Sequence, residues 1–285
     1  MINRLCIIGV GLIGGSLARA LKQAGYCAEV VGCGRDAVHL RRAQEIGVID
    51  RYERDPARAV DDADMIVLAV PLGAMEVVMR TIAGHVAADA VITDVGSTKG
   101  GVVTAAQAAF GAVPERFVPG HPIAGTEKSG VEASFADLFQ ERRVILTPLD
   151  HSDADAVAAV REMWERTGAE VMEMSVAHHD EILAATSHLP HMLAFALVDT
   201  LARMHEQAEI FRYAAGGFRD FTRIASSDPV MWRDICLANR EAIAAMIDRF
   251  QGDLAGLREA IVKGDGRRIE EIFVRAKAAR DRYCE

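Results

Sequence analysis

The chain has 285 residues, 51% hydrophobic and 26% charged, which is enough for two hydrophobic cores. Its formal net charge of -9 and pI near 5.5 exclude a basic face for nucleic acid or an anionic membrane, and point to a small-molecule ligand. No apolar run approaches the roughly 20 residues of a membrane span, and Met1-Ile2-Asn3-Arg4 leads into a strand pattern without a signal peptide, so the expected location is cytoplasmic.

In chain order, candidate strands are Leu5–Gly9, Val30–Gly32, Met65–Val70, Val91–Asp94, Phe117–Pro119, Val144–Thr147 and Val171–Met174, with helical patterns between them. Short β-type runs alternating with helices predict a parallel sheet with crossover helices. From Ser175 onward the apolar spacing is helical throughout, as in Leu189, Leu193, Ala196, Leu197 and Leu201, and then in Trp232, Ile235, Ile243, Met246 and Phe250. The fold class is therefore α/β, with an N-terminal Rossmann-type parallel-sheet domain over 1–174 and an all-α domain over 175–285. Asp228-Pro229 reads as a helix start, because the aspartate can accept from free amides and proline is tolerated at the first helical position. Pro190 inside a helical pattern marks a kink or a fresh start. Long amphipathic helices of this kind suit a homodimer interface.

Gly9-Val10-Gly11-Leu12-Ile13-Gly14 directly follows the first strand and opens an apolar helix. In that context Gly9 makes the tight turn, Gly11 lets the backbone approach a pyrophosphate, and Gly14 packs the helix on the sheet. Leu12 and Ile13 begin the helix whose positive end would meet the phosphates. At the tip of the second strand, Gly34 occupies the position where an acid would bond the ribose hydroxyls. Arg35 could accommodate a ribose 2′-phosphate or be a solvated loop residue, and Asp36 could serve NAD from two residues later. NAD is the expected cofactor, with NADP left open. Val70-Pro71, Ser97 in Asp94-Val95-Gly96-Ser97-Thr98-Lys99, and His121 between Gly120 and Pro122 all fall at carboxyl ends of strands, where an open parallel sheet binds ligands. Val70, Pro71 and Ser97 are cofactor-binding candidates, and Lys99 reads as an N-terminal helix residue near the cofactor. A neutral histidine can take a proton from an alcohol as hydride leaves, which makes His121 the candidate base. The cysteines Cys6, Cys27, Cys33, Cys236 and Cys284 are odd in number and lack a Cys-x-x-Cys pair, as in a reducing compartment, and no metal site is expected.

Five motifs in order resemble the prephenate/arogenate dehydrogenases of tyrosine biosynthesis. They are Gly9–Ser16, Asp94–Lys99, Gly120–Glu127, Ser187-His188-Leu189-Pro190-His191 and Phe218–Ala225. The resemblance implies a Rossmann domain, a helical dimerisation domain and a site for prephenate, arogenate or both. It implies that His121 is catalytic, that Ser97 orients the substrate hydroxyl, and that Arg223 binds the ring carboxylate. His188 and His191 would lie beside the substrate, Asp220 would orient Arg223 or a histidine, and Glu127 would sit at the pocket rim. Trp232 reads as core or rim, and His178 and His179 read as structural.

Two other readings are weaker. A β-hydroxyacid dehydrogenase would carry a Lys-x-x-Asn catalytic helix, which is missing. A non-catalytic NAD(P) sensor would not need His121 and Arg223 in these contexts.

Overall fold

A computed structural model describes residues 1–126 and 128–283. Strands β1 (Ile2–Ile8), β2 (Cys27–Cys33), β3 (Arg51–Glu53), β4 (Met65–Leu68), β5 (Val91–Asp94) and β6 (Phe117–Val118) form one sheet in the order β3-β2-β1-β4-β5-β6. Every pair in it is parallel. The connections are helices α1 (Leu12–Gln23), α2 (Ala37–Glu45), α3 (Pro56–Ala59), α4 (Leu72–Ile82) and α5 (Gly100–Phe110). This is the doubly wound Rossmann order, whose crevice opens between β1 and β4, where the winding reverses.

Both faces of the sheet are covered, so its central strands are apolar throughout. Leu5 and Ile7 of β1 face one core with Met65 and Val67 of β4, while Cys6 and Ile8 face the other with Ile66 and Leu68. Helix α1 buries Leu17 and Leu21 in the first core, and α4 buries Met75 and Met79 in the second. Each fully buried side chain of this size stabilises the fold by roughly 1.5–3 kcal/mol.

The parallel-sheet expectation needs correction beyond β6. Gly120-His121-Pro122, expected as a loop, is itself strand β7 (Gly120–Pro122), paired antiparallel with β8 (Arg143–Leu146). Strand β8 pairs in parallel with β9 (Glu170–Glu173), completing a separate three-stranded sheet. Apolar runs reveal neither which sheet a strand joins nor its direction, which is why the two sheets could not be told apart from sequence. Helix α6 (Ala154–Glu165) packs Trp164 edge-on against Phe139 at 5.1 Å beneath this region. Among the described residues no strand follows Glu173.

Helix α7 (Val176–Leu183) passes through a π-helical segment, Ala184–His188, into α8 (Leu189–Ala202). Pro190 has no amide to donate, and the helix accommodates it by widening just before it rather than ending. The continuous 27-residue helix is long and apolar enough to cross a membrane by length and composition, with a mean hydropathy of 1.3. It is not an unbroken apolar run, because polar residues interrupt it, and of these His179, Asp180 and His188 are buried. Helices α9 (Gln207–Arg212), α10 (Gly216–Thr222) and α11 (Pro229–Ala238) follow. Asp228 caps α11 as expected, accepting from the Met231 amide at 2.8 Å with Pro229 in the first turn.

Residues Met1–Arg240 form one compact unit, and the described residues from Glu241 on form a second. The second consists of α12 (Arg240–Lys263, from Glu241 on) and α13 (Gly266–Tyr283). They are joined at Gly264, whose φ of +67° suits glycine, and Asp265 accepts from the Arg268 amide at 3.0 Å.

Candidate active site

The glycine turn has the geometry that its spacing predicts. Gly9 lies at φ +105°, and a side chain there would meet the Ala69 carbonyl oxygen at 2.3 Å, so the turn rests against the end of β4. A Cβ at Gly14 would lie 2.2 Å from the Gly9 oxygen, which fixes how closely α1 packs. At Gly11 a Cβ would meet nothing within 4 Å. Gly11 is also the N-cap of α1 and supplies no side-chain bond to the helix amides, so the helix start faces open space. The free backbone N–H groups at such a helix start are of the kind that can hold a phosphate. His39 holds the turn from α2 through a 2.7 Å bond to the Val10 carbonyl. Val70 and Pro71 follow β4 after Ala69, on which the turn rests. Gly34, Arg35 and Asp36 stand at the tip of β2, where Asp36 caps α2 by accepting from the Val38 and His39 amides at 2.8 and 3.2 Å.

A buried hydrogen-bonded chain of polar side chains lies where β5, β7 and α7 converge. His121 Nδ1 is 2.9 Å from His179 Nε2, and His179 Nδ1 is 2.8 Å from Asp180 Oδ1. Asp180 accepts in turn from the amides of Lys99 and Gly100 at the start of α5, both at 2.8 Å. Burial alone would raise the Asp180 carboxyl pKa, but His179 and the two amides outweigh it and hold the pKa below its ordinary value. An ionised Asp180 must accept the Nδ1 proton of His179, leaving His179 Nε2 as an acceptor. His121 then donates from Nδ1, and its Nε2 carries the lone pair. Among the described residues that nitrogen has no protein partner. Burial, with Lys99, His179 and His188 adding to it, pushes the His121 pKa well below the ordinary histidine range.

Lys99 lies beneath this chain rather than in the cofactor crevice. Its ammonium is fully buried, 2.6 Å from Asp94 Oδ2 and 2.5 Å from the Gly120 carbonyl, which ties the ends of β5 and β7 together. Asp94 also accepts from the Gly96 and Gly120 amides at 2.7 and 3.2 Å. Burial lowers the lysine pKa and Asp94 opposes that shift.

A second group of rings lines the helical side. Trp232 stacks on His191 at 3.8 Å and meets His188 edge-on at 6.0 Å, so this buried aromatic is the wall between the two histidines. His188 is almost fully buried. Its Nδ1 pairs with Asn239 Nδ2 at 3.2 Å, and Asn239 also donates to the Asp180 carbonyl at 2.9 Å. Burial pushes its pKa to about 4. Through Asn239, which directly follows α11, His188 is tied to the Asp180 carbonyl of α7. His191 is half-buried and bonds the Ser187 carbonyl through Nδ1 at 2.9 Å, which leaves Nε2 available. Burial lowers its pKa, and the nearby Arg223 charge adds to the shift.

Ser97 is half-buried between β5 and α5, and among the described residues its hydroxyl makes no hydrogen bond. Arg223 is exposed at the end of α10. Asp220 is exposed on α10. Glu127 lies outside the described residues. Expected as structural, His179 is instead the partner of His121. Asp180 and Asn239 belong to none of the sequence motifs, although an adjacent His-Asp pair in a long apolar helix is a signal of buried polar function. No group of three or more potential metal-binding side chains occurs among the described residues.

Residues 17–173 match the family of the prephenate dehydrogenase nucleotide-binding domain, and 175–275 that of the prephenate dehydrogenase dimerization domain. The cyclohexadienyl dehydrogenase of Zymomonas mobilis is 41% identical over 98% of this chain and 95% of its own length. The prephenate dehydrogenase of Bacillus subtilis is 36% identical over 99% of this chain and 76% of its own. The crystal structure of Aquifex aeolicus prephenate dehydrogenase in complex with hydroxyphenyl propionate and NAD+ superposes with a TM-score of 0.93, at 39% identity over 98% of each chain.

Proposed function

The chain belongs to the prephenate dehydrogenase family, and we propose that it converts prephenate to 4-hydroxyphenylpyruvate and carbon dioxide, with arogenate as a second substrate. It is an NAD-dependent oxidoreductase. The observation that carries the substrate chemistry is the His121–His179–Asp180 chain, which leaves a neutral ring nitrogen ready to accept a proton.

When bound, NAD+ supplies the hydride acceptor. The carbinol carbon of the substrate ring loses hydride while its hydroxyl proton passes to His121 Nε2, and the oxygen's bonding pair becomes a carbonyl. The bond between the ring and its carboxylate then breaks, carbon dioxide leaves, and that electron pair aromatises the ring. The phenolate oxygen takes the proton back. Asp180, through His179, favours the His121 cation formed on the way. Ser97 orients the hydroxyl. Arg223 holds the ring carboxylate, a task suited to a planar guanidinium, and His191 and Trp232 form the neighbouring wall. Because the carboxylate charge disappears during reaction, Arg223 acts chiefly by positioning.

A homodimer through the helical region accompanies this reading, supported by the match to a dimerization domain and by exposed apolar side chains such as Met204, Phe211 and Phe221. A cytoplasmic location does too, since the described cysteines Cys6, Cys27, Cys33 and Cys236 are free. The test is to follow NADH formation with prephenate and then with arogenate. Turnover of prephenate supports the reading, and no turnover of either overturns it.

A further inference from the structure

The tip of β2 bears on the ribose 2′ position, where the adenosine end of a dinucleotide bound at the glycine turn would lie. An enzyme restricted to NAD places a free carboxylate there, which bonds the ribose diol and repels a 2′-phosphate. This chain has Gly34 at that position. The three acids nearby are each committed to their own backbone. Asp36 caps α2 through the Val38 and His39 amides at 2.8 and 3.2 Å. Glu53 Oε1 accepts from the amides of Arg54 and Asp55 at 2.7 and 3.1 Å. Asp55 caps α3 through the Ala57 amide at 3.0 Å.

Two guanidinium groups share this tip. Arg54 reaches across from the end of β3 and donates to the Arg35 carbonyl at 3.2 Å, which places its positive charge beside Arg35. Arg35 is exposed, and among the described residues its side chain makes no hydrogen bond or ion pair. A guanidinium offers several N–H donors in one plane, the geometry that phosphate oxygens accept. The backbone at Gly34 is not crowded, because a Cβ there would lie 3.5 Å from Leu40, an ordinary contact.

From this arrangement we infer that the site accepts a 2′-phosphorylated dinucleotide as well as NAD, with Arg35 and Arg54 holding the 2′-phosphate and Gly34 removing the side chain that would exclude it. The inference rests on nucleotide binding at the glycine turn. Gly34 is thus the position at which an acidic side chain would restore exclusive use of NAD.

The test is calorimetric titration of the full-length apo protein with 5′-ADP, which carries the ribose diol, and with 2′,5′-ADP, which carries the 2′-phosphate. Wild type is expected to bind 2′,5′-ADP at least as tightly as 5′-ADP, with the difference shrinking as salt rises. The double variant Arg35→Ala/Arg54→Ala should weaken 2′,5′-ADP at least tenfold and change 5′-ADP less than twofold. Gly34→Asp should weaken 2′,5′-ADP at least tenfold and retain or tighten 5′-ADP. Binding of 5′-ADP with 2′,5′-ADP more than tenfold weaker in wild type would overturn the inference and leave the glycine-turn site standing. Failure of both to bind would overturn both.

Discussion

His121 and His179 share a hydrogen bond of 2.9 Å between Nδ1 of the first and Nε2 of the second, and its direction is set by Asp180 on the far side of His179. The carboxylate therefore decides which His121 nitrogen is basic without touching that residue. Asp180→Asn should reverse the chain, because an amide nitrogen can donate to His179 Nδ1, which shifts the His179 proton to Nε2 and the His121 proton to the nitrogen that must be a base. The expected loss in kcat is on the order of 10²–10⁴-fold, the range for removing a positioned base. In the wild type, activity requires neutral His121, so it is present above the His121 pKa and lost as pH falls through it. Since that pKa lies below 6.5, the acid limb of kcat/KM should fall below pH 6.5. A pH-rate profile of both proteins checks the point, and wild-type kinetics in the variant would contradict it.

Arg223→Ala should separate binding from chemistry. The side chain is exposed, so folding should be little affected and circular dichroism should match wild type. KM for prephenate is expected to rise at least tenfold, with a smaller fall in kcat, because the carboxylate held by Arg223 is expelled in the reaction. An unchanged KM would remove Arg223 from the site.

Lys99→Met tests the buried ion pair. Removing one partner leaves Asp94 charged and fully buried, which costs about 3–5 kcal/mol in comparable pairs. Thermal and denaturant unfolding should show a loss of this order, with the Gly96 and Gly120 amides that also bond Asp94 limiting it. A loss below about 1 kcal/mol would mean that the pair is not holding β5 to β7.

Gly11→Ala should leave the fold intact and damage the cofactor site. A Cβ there meets no protein atom within 4 Å, so its cost falls on whatever approaches the open start of α1. Thermal stability of the apo protein should stay near that of wild type while affinity for NADH falls at least tenfold, as read by titration. Unaltered NADH affinity would place the pyrophosphate elsewhere.

Much of this was legible from residue pattern. The glycine turn, the Asp228-Pro229 cap and the central strands follow from local spacing and are found where that spacing places them. Strand β3 was not legible because Arg51-Tyr52-Glu53 is a three-residue edge strand without apolar alternation. His121 was recognisable as a candidate from its setting between Gly120 and Pro122, yet its place in an antiparallel strand depends on β8, far along the chain. The partnership of His121 with His179 spans 58 residues, and sequence spacing carries no trace of it. His188 shows the same limit: its Nδ1 partner Asn239 lies 51 residues further along the chain.

The most direct measurement of the central claim compares wild type with His121→Asn for NADH and carbon dioxide released per prephenate. Wild type should release one of each for every prephenate consumed, and the variant should lose about 10²–10⁴-fold in kcat with a smaller change in KM. No NADH from prephenate in wild type, or an undiminished kcat in the variant, would contradict the account.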